Sequence, residues 1–276
     1  MENFKLEYNF YGGSYVTPDN IKIPFLAKLF PSIYFYYRVL TLVLHGSKLA
    51  RQGKYDLHQW MISSFRALDI VEKVGIKVRI DGIDNINKTD KPVVFVANHM
   101  STAETFLLPS IIVPFKPVTY VLKESLMRVP FFKDLLAARD PIVVTRDNPR
   151  EDFKIVMEKG GKHLSEGMSV IVFPQTTRTT SFYEKQFNSM GVKLAKKAGV
   201  PIIPIALKTD AWSNGKWIKD LGKIHTDRNM RFVIGEPIEI KGKGDEEHQI
   251  IIDFIKKHLI EWGVVVERAD GKMESN

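Results

Sequence analysis

The 276-residue chain contains no cysteine. That excludes a thiol nucleophile, disulfide bridges and thiolate metal sites. Its seven histidines form no His-x-x-x-His pair with a glutamate, so nothing in the sequence supports zinc or another metal. Glycine-rich phosphate loops of the Gly-x-Gly-x-x-Gly or Gly-x-x-x-x-Gly-Lys-Ser/Thr type are missing, which weakens nucleotide-dependent readings. There is no Gly-x-Ser-x-Gly elbow, so α/β-hydrolase chemistry is not expected. No run of about 20 uninterrupted apolar residues argues for a transmembrane helix. Residues 1–19 lack the basic start and apolar core of a secretory leader.

What is present is globular. Hydrophobic residues make up 44% and charged residues 26%, and the length suits one large domain. The formal net charge of +8 favours anionic partners: a phosphate-bearing substrate, an acidic membrane surface or nucleic acid.

The string Val93 to Glu104 carries the most chemistry. Val93–Ala97 is a short apolar run following Pro92, as expected of a strand covered on both faces. It ends at Asn98-His99. Ser101 and Glu104 then have capping-box spacing before the apolar run Phe106-Leu107-Leu108. Within one regular helix His99 and Glu104 would diverge by roughly 140°. If His99 sits in the turn before the helix, Glu104 can reach back to the ring, giving a general base supported by a carboxylate. The other reading makes Glu104 a cap and His99 a polar loop residue.

The expected fold class is α/β: a layered, largely parallel sheet flanked by helices, with an amino-terminal helical membrane-interface segment. Strands are expected at Ile76–Ile80, Val93–Ala97, Val118–Leu122, Ile142–Thr145, Val170–Phe173, Ile202–Leu207 and Arg231–Ile234. Helices are expected at Leu57–Lys73, Thr102–Ile112, Ser125–Ala138, Pro149–Ser165, Phe187–Ala198 and Asp245–Trp262, with Gly199 as a stop signal. Residues 1–56 form the amino-terminal segment, 57–265 the α/β domain, and 266–276 a disordered tail. Within the first, Ile21–Leu49 is rich in Phe and Tyr but interrupted by Lys28, Pro31 and Arg38. Rings for the headgroup layer and cations for anionic lipid suggest an interfacial segment; a helical hairpin packed on the domain's own core is the alternative.

Three further strings follow or end strand candidates, where open α/β sheets bind ligands. They are Lys123-Glu124-Ser125, Val144-Thr145-Arg146-Asp147 and Phe173-Pro174-Gln175-Thr176-Thr177-Arg178; Val200-Pro201-Ile202-Ile203-Pro204 opens another strand. Lys123, Arg146 and Arg178 around His99 would suit a phosphorylated substrate, although each cation alone is an ordinary surface charge.

In order and spacing these strings resemble the glycerolipid acyltransferases typified by 1-acylglycerol-3-phosphate (lysophosphatidic acid) O-acyltransferase, over roughly residues 76–240. The family pattern is Asn-His-x-x-x-x-Asp, an Arg-bearing block, Phe-Pro-Glu-Gly-Thr-Arg and Val-Pro-Ile-x-Pro. Here Glu104 replaces Asp, Gln175 replaces Glu and Thr176 replaces Gly, while Arg178 is retained. The resemblance implies transfer of a fatty acyl group from acyl-CoA or acyl-carrier protein to a lysophospholipid hydroxyl, with His99 and Glu104 catalytic. Lys123, Arg146 and Arg178 would hold phosphate; Gln175, Thr176 and Thr177 would line the substrate site, with backbone N–H groups near Thr176 and Thr177 facing the oxyanion. Neither cofactor nor metal is implied beyond the acyl donor as co-substrate. The expected setting is peripheral or monotopic, on the cytoplasmic face of an anionic phospholipid membrane. A thioesterase with the same dyad, or a non-catalytic lipid-binding relative, are the alternatives; nucleic-acid binding is not expected.

Overall fold

Val94–Ala97 is buried at every position, as its unbroken apolar sequence requires of a strand covered on both faces. In the computed structural model, which describes residues 13–175 and 177–274, this strand lies inside an eight-stranded sheet. The strands run in chain order β1 (Ser14–Val16), β2 (Val78–Asp81), β3 (Val94–Ala97), β4 (Val118–Lys123), β5 (Ile142–Val144), β6 (Ser169–Val172), β7 (Phe182–Tyr183), β8 (Ile202–Lys208), β9 (Met230–Ile234), β10 (Val266–Glu267) and β11 (Met273–Glu274). The large sheet has the order β1-β2-β9-β8-β3-β6-β4-β5. Strands β8, β3, β6, β4 and β5 are mutually parallel, with Val94 opposite both Ile202 and Val170. Antiparallel pairs join β8 to β9 and β1 to β2.

The helices are α1 (Phe25–Leu29), α2 (Pro31–Arg51), α3 (Leu57–Lys73), α4 (Ala103–Ile112), α5 (Phe132–Ala137), α6 (Pro149–Ile155), α7 (Gly161–Ser165), α8 (Met190–Ala198) and α9 (Asp245–Glu261). α3 spans the expected residues, and Asp56 caps it by accepting from the Gln59 N–H at 2.8 Å. α8 stops at Gly199, whose φ of 66° is the left-handed conformation that suits glycine. The helix expected over Ser125–Ala138 is instead a 3-10 turn, Glu124–Arg128, followed by α5. Pro130 lies between them, and Phe131 adopts φ 67°. Residues 149–165 are helical throughout, but a π-helical turn at Val156–Gly160 joins α6 to α7.

α4 carries Pro109, which supplies no N–H to the Thr105 carbonyl. The Tyr120 hydroxyl donates to that carbonyl at 3.3 Å. The Ser64 hydroxyl from α3 donates to the Phe106 carbonyl and accepts from the Ser110 N–H, inserting itself into the helical ladder. α4, which carries Glu104 in its first turn, is thus fixed by α3 and β4.

Two regions differ from expectation. Residues 266–274 do not form a disordered tail: β10 and β11 pair as a hairpin, and Val266 lies opposite Phe182 of β7. Buried Val266 anchors this small sheet, a single apolar position too short to read as periodicity. Residues 275 and 276, with 1–12, lie outside the described chain. The amino-terminal segment combines both of its sequence readings. Phe35, Val39, Leu42 and Val43 of α2 join the main core. On its other side, Ile33, Tyr37, Leu40 and Leu44 are exposed at alternating four- and three-residue steps, one helical face, and Phe25, Leu26, Leu29 and Phe30 are exposed just before it. No helix among the described residues is long and apolar enough to cross a membrane.

Candidate active site

β3 lies between β6 and β8, and the chain leaves it for β4 by passing over β6. Loops after β3, β6 and β8 therefore open around one crevice at the carboxyl end of the sheet. The segment after β3 supplies Asn98, His99 and Ser101. Asn98 is buried and spans to β8, donating from Nδ2 to the Leu207 carbonyl at 2.8 Å and accepting the Leu207 N–H at 2.9 Å. That pair of bonds fixes where the strand ends and the His99 turn begins.

His99 Nδ1 and Glu104 Oε1 are 2.9 Å apart. Glu104 has no exposed surface, and its oxygens accept four further bonds. Oε1 takes the N–H groups of Met100 and Ser101 at 2.7 and 2.9 Å; Oε2 takes the hydroxyls of Ser101 and Thr209 at 3.0 and 2.6 Å. Burial pushes the Glu104 carboxyl up, but the bond and charge of His99, then Thr209 and the Ser101 backbone, outweigh it and leave the pKa lowered. An ionised carboxylate only accepts, so the neutral imidazole held here is the tautomer with its proton on Nδ1 and its lone pair on Nε2. Glu104 both accepts the N–H groups of the turn and holds the imidazole, contacts that the sequence had set as alternatives.

Ser101 is buried, with its hydroxyl also accepting the Ala103 N–H at 3.1 Å. Glu104 thus supplies its half of the capping box by accepting the Ser101 N–H, while the Ser101 hydroxyl takes the Ala103 N–H and stands one residue ahead of the N-cap Thr102. A hydroxyl so engaged is poorly placed as a nucleophile.

The loop after β6 holds His99 by its backbone and its face. Gln175 Oε1 accepts the His99 N–H at 2.7 Å, and the Thr179 N–H donates to the His99 carbonyl at 3.0 Å. The imidazole stacks on Phe173, with centroids 4.3 Å apart and planes at 18°, and Tyr120 stacks behind Phe173. Gln175 is 2% exposed and its Nε2 donates to Thr179 Oγ1 at 3.0 Å. Its side chain faces inward and holds the His99 backbone. Thr176 lies outside the described residues. Thr177 Oγ1 accepts from Lys219 Nζ at 2.7 Å.

Arg178 reaches the site, and its side chain is mostly buried. Its Nη1 donates to Thr102 Oγ1 and, at 2.6 Å, to Asp220 Oδ1. Arg146, just after β5, is close enough for its charge to be felt: partial desolvation first, then Arg178, lower its guanidinium pKa, although much of the residue faces solvent. Its backbone has φ 69° and is held by Asp152, whose Oδ2 accepts the Arg146 N–H at 2.7 Å. Lys123 ends β4 opposite Val144, so it shares the sheet edge with Arg146. It is exposed, and among the described residues no hydrogen bond or ion pair joins it to His99, Glu104 or Arg178.

Sequence reasoning missed two partners. Thr209 stands just past β8, a strand-end position that pointed to the crevice. Asp220 sits in a loop with no motif to mark it. Among the described residues no cluster of three or more metal-ligating side chains occurs.

Residues 77–208 match the family model described as Acyltransferase. The 1-acyl-sn-glycerol-3-phosphate acyltransferase of Pseudomonas aeruginosa is 35% identical over 171 residues, covering 62% of this chain and 62% of that protein. A protein of the same name from Chlamydomonas reinhardtii is 32% identical over 131 residues, 48% of this chain and 38% of its own length. This chain thus covers less than two thirds of these relatives. In fold it is similar to the crystal structure of the 1-acyl-sn-glycerophosphate (LPA) acyltransferase of Thermotoga maritima, with a TM-score of 0.63 over 86% of this chain and 96% of that one, at 22% identity.

Proposed function

We propose, from the match of residues 77–208 to the Acyltransferase model and from the geometry of the site, that this chain transfers a fatty acyl group from acyl-CoA or acyl-carrier protein to the hydroxyl of 1-acylglycerol-3-phosphate. The observation that carries the proposal is the fully buried Glu104 accepting from His99 Nδ1 at 2.9 Å, which leaves Nε2 as the open basic atom.

The acceptor hydroxyl loses its proton to His99 Nε2 as its oxygen attacks the thioester carbonyl. Glu104 stabilises the imidazolium so formed without taking the proton itself. The tetrahedral intermediate collapses by breaking the C–S bond, the imidazolium returns its proton to the departing thiolate, and the ester remains. No acyl-enzyme is formed. Arg178 and Arg146 offer charge-assisted bonds to the acceptor's phosphate, with Lys123 contributing from the rim. Backbone N–H groups near Thr177 face the developing oxyanion in this reading. The departure at Gln175 is compatible with turnover, because an amide oxygen holds the His99 N–H as a carboxylate would.

The exposed apolar face of α1 and α2, edged by Lys22, Lys28, Arg38, Lys48 and Arg51, would hold the enzyme peripherally on anionic lipid. Incubating purified protein with acyl-CoA or acyl-carrier protein and a panel of lysolipids tests the reading. Acylation of 1-acylglycerol-3-phosphate by the parent and not by His99→Ala is expected. Thioester hydrolysis with no acylated lysolipid would overturn it in favour of a thioesterase.

A further inference from the structure

The loop between Trp212 and Ile224 is tightly wound. Trp212 and Ile224 form an isolated β-bridge, the Ser213 N–H donates to the Lys223 carbonyl at 3.1 Å and the Gly215 N–H to the Lys219 carbonyl at 3.1 Å. A Cβ on Gly222 would fall 1.8 Å from the Ser213 carbonyl oxygen, so only glycine fits this crossing. Such a closed loop could have turned polar residues outward. Instead it displays Trp217, 92% exposed, with Ile218 and Leu221 each 56% exposed. Lys216, Lys219 and Lys223, all exposed, surround them. An apolar tip ringed by cations is complementary to an anionic lipid surface.

The loop is also fastened to α2, beside its exposed apolar face. The Tyr36 hydroxyl donates to the Gly222 carbonyl at 2.6 Å, and the Ile224 N–H donates to Ser32 Oγ at 3.1 Å. Its other side closes on the crevice. Asp220 Oδ1 accepts both Arg178 Nη1 at 2.6 Å and Thr102 Oγ1 at 2.8 Å. Burial acts to raise the Asp220 pKa, but these two bonds and the Arg178 charge bring it below the usual carboxylate value. A carboxylate thus occupies the guanidinium that the proposed reaction assigns to the acceptor's phosphate.

We propose that residues 213–223 form a second lipid-contacting element whose Trp217 tip enters an anionic bilayer surface and whose Asp220 then leaves Arg178 to an anionic headgroup. The headgroup assignment rests on the acyltransferase reading above; the lipid contact does not. Away from lipid, Asp220 keeps Arg178 neutralised and the anion site shut. On lipid, loop and α2 face meet one surface, and a phosphate displaces Asp220 where the substrate resides.

The test uses the full chain and two readouts that need no turnover. Tryptophan fluorescence is measured with phosphatidylcholine–phosphatidylglycerol vesicles brominated in the acyl chains, comparing the parent with Trp217→Phe. Greater quenching in the parent is expected; equal quenching would overturn the lipid contact. Binding of inorganic phosphate is then measured by calorimetry for the parent and Asp220→Asn, with and without unbrominated vesicles of the same lipids. Asp220→Asn should bind phosphate at least several-fold more tightly without vesicles, and vesicles should narrow the gap. Equal or weaker phosphate binding by Asp220→Asn would overturn the shutter and make Asp220 a positioning residue for Arg178. Quenching and phosphate gating without acyl transfer would reject the acyltransferase reading while supporting the proposed loop movement.

Discussion

The side chain of Gln175 accepts the backbone N–H of His99 at 2.7 Å, so a residue 76 positions along the chain sets where the imidazole stands. This bond gives the unusual Phe-Pro-Gln sequence a specific job. Replacing Gln175 with Leu leaves a buried N–H without its acceptor and should cost about 1–3 kcal/mol of stability along with much of the turnover. Gln175→Glu keeps the acceptor and should stay close to the parent in turnover. Denaturation curves and initial rates check both. A Leu variant equal to the parent in stability and rate would remove Gln175 from the positioning of His99.

His99→Ala should lower acyl transfer by at least about 100-fold, the usual scale of general acid–base catalysis. The ring packs on Phe173 but is otherwise bordered by a polar crevice, so the variant should fold. A purified, folded variant with more than a tenth of parental turnover would sink the assignment.

Much of the sheet is legible in the sequence because β3, β6 and β8 are continuous apolar runs, and the strings that end them converge at one edge. His99 and Glu104 are legible because only five positions separate them and Glu104 reaches back to the N–H groups of the turn. Asp220 is not, since its bond to Arg178 joins distant parts of the chain with no local pattern, and for Thr209 the strand end marks the place but not the bond to Glu104. For Gln175, spacing places a residue at the crevice without giving its direction; the inward bond to Thr179 decides that. Composition likewise does not separate packing from interface in α2, whose opposite faces do both. The hairpin at 266–274 escapes because strands of two residues have no measurable alternation.

Glu104→Gln should separate catalysis from capping. Its amide oxygen can still take the N–H groups at the start of α4, and the Ser101 and Thr209 hydroxyls can turn to accept from the new NH2. Weaker, uncharged bonding should cost about 1–3 kcal/mol, while turnover should fall by about 10³–10⁴ because the imidazolium loses its counter-charge. The folded carboxyl has a pKa below its usual 4.5, so its ionisation contributes stability above that value. That contribution is lost as pH falls through the lower folded pKa. The stability gap between parent and variant should therefore be full near neutral pH and shrink on acidification below the usual 4.5. A gap that ignores pH would place the effect outside the Glu104 charge.

Arg178→Ala should raise the Michaelis constant for a phosphorylated acceptor much more than for the thioester donor. Removing a charge-assisted bond at a largely buried site weakens binding by roughly 2–5 kcal/mol, or more than about 10-fold. Steady-state kinetics with each substrate varied in turn give the comparison. Equal effects on both would put Arg178 outside the acceptor site.

The apolar face of α1 and α2 should bring the crevice to lipid. Its exposed residues on α2 follow one helical stripe from Ile33 to Leu44, with Leu26 and Leu29 exposed on α1, and its cations should add about 1 kcal/mol each near anionic headgroups. Because Phe35, Val39 and Val43 are committed to the core, deleting the helices would also unroof it. Substituting Ile33, Tyr37 and Leu40 together with serine leaves the buried face intact and is the sharper test. In flotation with anionic vesicles the parent should rise with lipid, and high salt should weaken that association. The triple variant should remain largely below the lipid fraction, yet still turn over a water-soluble acceptor. Unchanged flotation of the folded triple variant would move the main lipid-binding surface away from α2. Persistence of the parent on vesicles through both salt and carbonate would contradict peripheral attachment.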